Sequence, residues 1–282
     1  MRHFVYPSLS VVALLAAAPA GWAAHLGTIT DTTAGTATVD GTINGGEYAG
    51  STSGINTGFG DVIGETSALF LDSSSSGGLN FGFRSSGGFN DVAVIYIDSI
   101  AGGFGDTSTL EDIADGGRAA ISGDAADGVS GESEISFAPG TVEGATFLAD
   151  YAISVQNDFA GLFQLAAGGD NSLIFVAGGG LTPSGTNASG DREFAFSLSD
   201  IGLTAGDSFN YIATYLNAGN AFRSNEFQGV RDQAAFDSNI GQNPVVLADG
   251  DYLTFESVPV PEPATLALLG LGGLAMIGRR RA

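Results

Sequence analysis

Val92-Ala-Val-Ile-Tyr-Ile-Asp98 is the stretch that decides the fold. Its β-branched and aromatic residues run too continuously for an edge, so it is expected to be a central strand. Working outward, the neighbouring segments read as strands as well. Ala68-Leu-Phe-Leu71 and Leu79-Asn-Phe-Gly-Phe83 form a hairpin across a long, flexible 73–78 loop of Ser and Gly. Ala145 to Val155, Leu162 to Ala166 and Leu173 to Val176 make a second up-and-down set. Phe194-Ala-Phe-Ser-Leu198 alternates at period two and should bury Phe194, Phe196 and Leu198 on one face. Phe209 to Leu216 follows the Ala205-Gly206-Asp207 turn, and Tyr252-Leu-Thr-Phe255 is the last strand. Thr109 to Ala114, with Ser108 as a cap, and Gly229 to Phe236 have helical character.

Many short strands at such spacing, with turn residues between them, predict an all-β chain built as an antiparallel, jelly-roll-like β-sandwich. The 19 phenylalanines can close a two-sheet core. A β-helix would require a regular short repeat, and the chain has none.

Composition removes several function classes. There is no cysteine, hence no disulfide framework and no thiolate chemistry. All nine basic residues are arginine, and four of them lie at the two ends. Residues 25–257 therefore carry five arginines against 30 acids, a net of −25. Such a surface repels nucleic acid and anionic head groups.

The two ends carry their own signals. Met1-Arg-His opens a short positive region, Val11 to Ala18 is apolar, and Ala18-Pro-Ala20 and Gly21-Trp-Ala23 supply small residues. This is the pattern of a secretory signal peptide (residues 1–24) cleaved after about Ala20 to Ala24. At the other end Pro259, Pro261 and Pro263 hold the backbone extended and remove its donors. The apolar run Ala264 to Ile277 then reads as a helix about 20 Å long, short against the ~30 Å hydrocarbon core. Arg279, Arg280 and Arg281 follow where a cytoplasmic end is favoured.

Val260-Pro261-Glu262-Pro263, the short helix and the arginine cluster together resemble the PEP-CTERM sorting signal of Gram-negative bacteria. The resemblance implies recognition by exosortase, a membrane-embedded peptidase. It further implies a transient inner-membrane anchor through residues 258–282, then release or re-anchoring of residues 25–257 at the cell surface or outside. A structural or adhesive role in an exopolysaccharide matrix or biofilm is the associated expectation. A weaker resemblance runs through residues 36–257. Val39-Asp-Gly-Thr-Ile-Asn-Gly-Gly-Glu-Tyr48, Tyr96-Ile-Asp98, Ala149-Asp150-Tyr151, Phe194 to Leu203 and Ser224-Asn225-Glu226 are similar in order to DOMON-like and family 9 carbohydrate-binding modules.

The expected chemistry is sparse. After signal-peptide cleavage one histidine, His25, remains, so a Ser-His-Asp triad or a multi-histidine metal site lacks parts. The Gly-rich stretches lack a following lysine for phosphate binding. The expectation is a non-enzymatic protein. A carbohydrate-binding module is the alternative, with Tyr211 and Tyr215, four apart on one strand, presenting their rings on one face. A carboxylate-based glycoside hydrolase ranks below both. Calcium is the one cofactor candidate, with Asp124 and Asp127 in one acidic turn and Asp249 and Asp251 in another. Acidic turns that cap strands explain the same residues. If the module resemblance holds, Glu47, Asp98 and Asp150 join that candidate set. Asn187-Ala-Ser189 fits a glycosylation acceptor.

Overall fold

A computed structural model describes residues 26–33, 35–137, 147–185, 188–230 and 238–260. Within them the chain runs β1 (Thr28–Thr30), β2 (Gly50–Ser53), β3 (Ala68–Ser73), β4 (Gly78–Ser85), β5 (Val92–Asp98), α1 (Gly116–Ser122) and β6 (Ile135–Ser136). It continues through β7 (Tyr151–Val155), β8 (Phe159–Gln164), β9 (Ile174–Gly180), β10 (Gly190–Ser197) and a 3-10 turn (Leu198–Ile201). β11 (Ser208–Asn217), β12 (Phe222–Gln228), β13 (Val245–Val246) and β14 (Leu253–Glu256) complete it. The protein is all-β, a sandwich of two main sheets. The larger has the order β1-β14-β11-β5-β7-β8-β9, with β12 also paired to β11. The smaller is β10-β4-β3-β2. Pairing is antiparallel except β1 with β14 and β6 with β13.

β5 explains why its sequence is apolar at every position. It lies between β11 and β7. Ala93, Ile95 and Ile97 point into the core between the sheets, against Leu71, Phe81, Phe83, Phe194 and Phe196. Val92, Val94 and Tyr96 point the other way, into a second core under α1, β6 and β13. A sheet covered on both faces needs apolar residues at both parities, so the period-two signal vanishes there. Each such side chain gains about 1.5–3 kcal/mol from burial. The outer layer that covers the large sheet is not part of the plain sandwich expected from the strand pattern.

β10 keeps the clean alternation over its second half, beyond Glu193, where the 40–48 segment no longer covers its outer face. Phe194, Phe196 and Leu198 are buried in the inner core and Ala195 is exposed. Phe81 and Phe194, partners in the β4–β10 register, stack with centroids 5.1 Å apart.

Two local expectations are corrected. The 73–78 loop is not long. β3 and β4 close through a four-residue turn, held by Ser74 N–H to Gly78 O (2.9 Å) and Gly78 N–H to Ser74 Oγ (2.8 Å). Thr109 to Ala114 is not helical. Ser108 Oγ donates to Asp106 instead of capping, and Glu111 N–H donates to Gly168 O. The helix starts at Gly116, where Asp115 accepts from Gly117 and Arg118 N–H, and ends at Gly123 with φ 83°. Of the second proposed helix, residues 231–237 lie outside the described residues, as do Asn187, the signal peptide and the segment from Pro261 onward.

Candidate functional site

The tail's exit from the sandwich is the site the sequence singled out. β1 and β14 run side by side in parallel, joining the first described strand to the last. Just past β14 the backbone is pinned. Ser257 N–H and Oγ both donate to Asp207 O (3.0 and 2.7 Å), and Gly206 N–H donates to Ser257 Oγ (2.9 Å). Val258 N–H donates to Ser73 Oγ (2.8 Å), whose own proton goes to Asp31 Oδ2 (2.7 Å). Asp31 also accepts from Ser73 N–H, so β1, β3 and the end of β14 meet on one buried carboxylate. Val258 is buried, Pro259 is exposed, and Val260 is 58% exposed beside a hollow of about 540 Å³ lined by Ser75, Ser76, Ser197 and Thr204. Burial thus gives way to exposure within one residue. Pro261, Glu262, Pro263 and Arg279 to Arg281 lie outside the described residues.

Tyr211 and Tyr215 do share a face, as their spacing predicts, but it is the wrong one for a ligand. Both are in the inner core, at 0% and 1% exposure. Tyr215 Oη accepts from Asn90 and Asp91 N–H (3.0 and 2.8 Å), and burial pushes both hydroxyl pKa values up. A buried tyrosine that pins a loop cannot stack on a sugar, so this pair does not form a binding face.

The acidic turns separate in the same way. Asp127 accepts from Val129 N–H, Ser130 N–H and Ser130 Oγ, a turn cap that holds its pKa below the usual range. Asp251 is buried and accepts from Ala248 N–H (3.0 Å) across the turn that holds Asp249. Asp124 is raised to about 6, by burial and then by Glu132, Glu134 and Glu111. Among the described residues, no three His, Cys, Asp or Glu side chains are grouped as a metal site.

The main use of acids inside the fold is one that sequence reading missed. Glu193 is fully buried; its Oε2 accepts from Asp40, Gly41 and Thr42 N–H (3.2, 2.6 and 3.0 Å) and its Oε1 from Tyr48 Oη (2.7 Å). Glu226, also fully buried, accepts from Phe59, Val62 and Ile63 N–H (2.6, 2.8 and 2.9 Å). Glu47 accepts from Thr38 and Asn44; burial raises its pKa, but these bonds outweigh burial and the net shift is downward. Asp150 accepts from Ser99 and Ile100 N–H (both 2.9 Å). In a chain without lysine, backbone amides take the place of cations and each carboxylate closes a loop. Asp98 stands apart, raised to about 7 by burial, with Asn210 partly offsetting it and Asp150 adding to it. The signal that was available is Gly-rich sequence, at 40–48 and 54–64, around which such cradles form.

Comparison with known proteins agrees on one segment. Residues 259–282 match the family model of the PEP-CTERM protein-sorting motif. The chain therefore carries the signal that marks a protein for export and for exosortase-directed sorting, with transient membrane association. No curated protein and no solved structure matches the chain, so the resemblance of residues 36–257 to DOMON-like modules gains no support. Among the described residues no helix is long and apolar enough to cross a membrane, and the apolar run at 264–277 lies outside them.

Proposed function

We propose that this protein is a non-enzymatic surface or matrix component, freed by cleavage near Pro261-Glu262-Pro263 and associated with extracellular polysaccharide. One observation carries the processing half of the reading. Val258 is buried, and Pro259 and Val260 after it are exposed. A peptidase needs extended, unpaired backbone, and alternate prolines cannot be recruited into a neighbouring strand. Glu262 lies four residues beyond Val258, at most about 14 Å of extended chain. The sandwich must then sit against the membrane surface while its tail is cut. Its acidity keeps that contact brief, because anionic head groups repel it.

The matrix half rests on composition. A cysteine-free, strongly acidic sandwich is soluble at high density outside the cell and does not depend on a redox state. Intact mass of the protein from the medium and from the membranes of its host tests the processing. The expected product is a secreted species ending near Glu262, abolished by Pro261→Ala with Pro263→Ala. A full-length form found in membranes alone would make the tail a plain anchor and overturn the reading. Co-extraction of the secreted form with matrix polysaccharide tests the second half, and free protein in the presence of an intact matrix would count against it.

A further inference from the structure

At the β9 end of the large sheet, three phenylalanines lie over two glycines. Gly161 on β8 and Gly178 on β9 are register partners. A Cβ at Gly178 would fall 2.4 Å from Phe159 Cζ and 2.9 Å from Phe175 Cζ. One at Gly161 would fall 2.9 Å from Phe163 Cε2 and 3.0 Å from Phe159 Cε1. The glycine pair is thus the floor on which the rings rest, and a side chain at either position would lift them. Phe163 is buried and meets Phe175 edge-on at 5.6 Å, whereas Phe159 and Phe175 are 37% and 52% exposed.

Polar side chains stand around this aromatic floor. The rings share a hollow of about 250 Å³ with Ser154, Gln156 and Arg118. Arg118 sits 4.8 Å from the Phe163 ring centre. Its Nη1 and Nε are held by Asp112 (2.7 Å) and Asp115 (3.2 Å), so its charge is neutralised and Nη2 alone is left to donate. Ser154, buried, and Gln156, half-buried, line the hollow. A ligand lying in it can exchange hydrogen bonds with both.

We propose that this hollow binds a single neutral pyranose ring of a saccharide chain. The apolar face of the sugar rests on Phe159 and Phe175, and its hydroxyls meet Ser154, Gln156 and Arg118 Nη2. A sugar face carries weakly positive C–H groups that suit the negative face of an aromatic ring, and its rim carries paired donors and acceptors. The volume is below the roughly 300–1,000 Å³ of sites for larger ligands, which fits one ring rather than several. An anionic ligand such as a nucleotide is disfavoured by the net charge of −25 over residues 25–257 and by the paired state of Arg118.

This deepens the matrix role proposed above and rests on it for its setting. Processing is read by mass and sugar binding by titration, so the two fail separately. The test is saturation-transfer NMR and calorimetry on the protein purified from its host. The probes are the methyl glycosides of glucose, galactose and mannose, N-acetylglucosamine, and cello-, xylo- and malto-oligosaccharides. Transfer to the ring C–H groups of at least one probe is expected. Phe175→Ala should weaken that binding about threefold to tenfold. Gln156→Ala should weaken it too, while Phe222→Ala, an exposed ring elsewhere on the molecule, should leave it unchanged. No response to any probe at millimolar concentration overturns the proposal, as does binding indifferent to both Phe175→Ala and Gln156→Ala. Self-association lost in Phe175→Ala with no sugar response would make the patch a protein contact and overturn it as well.

Discussion

β5 and β9 belong to the same sheet and are both apolar, yet they have opposite fates. Val92-Ala-Val-Ile-Tyr-Ile is buried at every position, while Ile174, Phe175 and Val176 are all exposed. β5 has a strand on each side and a core on each face. β9 pairs only with β8 within the sheet, and its later half is Gly178-Gly-Gly180. Apolar content thus selects a strand, but position in the sheet decides whether that strand is hidden. Natural edges are usually blunted by charge or proline. β9 has neither, and instead has a bulge against β8 and glycines that carry rings. An edge left apolar in this way suits contact with something outside the chain.

Substitutions can break or sharpen the contrast. Ile95→Ala removes a fully buried side chain from the inner core and should cost about 2–5 kcal/mol, read as a drop in the urea midpoint at unchanged slope. Asp98, the last residue of β5, keeps its proton to about pH 7 in the folded state, against 3.8 when unfolded. The native state therefore binds more protons between those values, and stability should fall as pH rises through that window. Asp98→Asn should flatten the slope, by at most about 1.4 kcal/mol per pH unit. Asp72 and Asp124, both raised to about 6, leave a residual slope of the same sign. A urea midpoint independent of pH in the native protein would refute this.

Tyr96→Phe keeps the ring in the outer core but loses the hydroxyl's bond to Ile121 O (2.7 Å) at the end of α1. The cost should be about 0.5–1.5 kcal/mol by the same measurement. Ile174→Ala, on the exposed edge, should stay within about 0.5 kcal/mol of the native value. A loss as large as that of Ile95→Ala would mean β9 is covered by something and end the comparison.

The strands were largely legible because alternation and turn residues are local properties. β10 and β11 fall close to where their sequences place them, and Phe194, Phe196 and Leu198 share the face predicted for them. Ser108 was misread because its cap role depended on where Asp106 lies, and the true cap, Asp115, precedes a run that opens with two glycines. Tyr211 and Tyr215 were placed on a common face but not on a side, since spacing gives phase along a strand and nothing about which layer covers it.

The sequence by itself determined the address of this protein, because export and sorting signals are read as short linear segments in which order and local conformation suffice. It also determined the all-β character, because pleat and turn preferences act within a few residues. Only the tertiary structure decided what the acids do and which aromatic rings meet solvent. Glu193 closes a loop more than 150 residues before it, and Glu226 one more than 160 before it. The Phe159–Phe175 floor exists because two glycines on adjacent strands come into register. Such pairings depend on how the sheets close, and no local pattern in the chain encodes them.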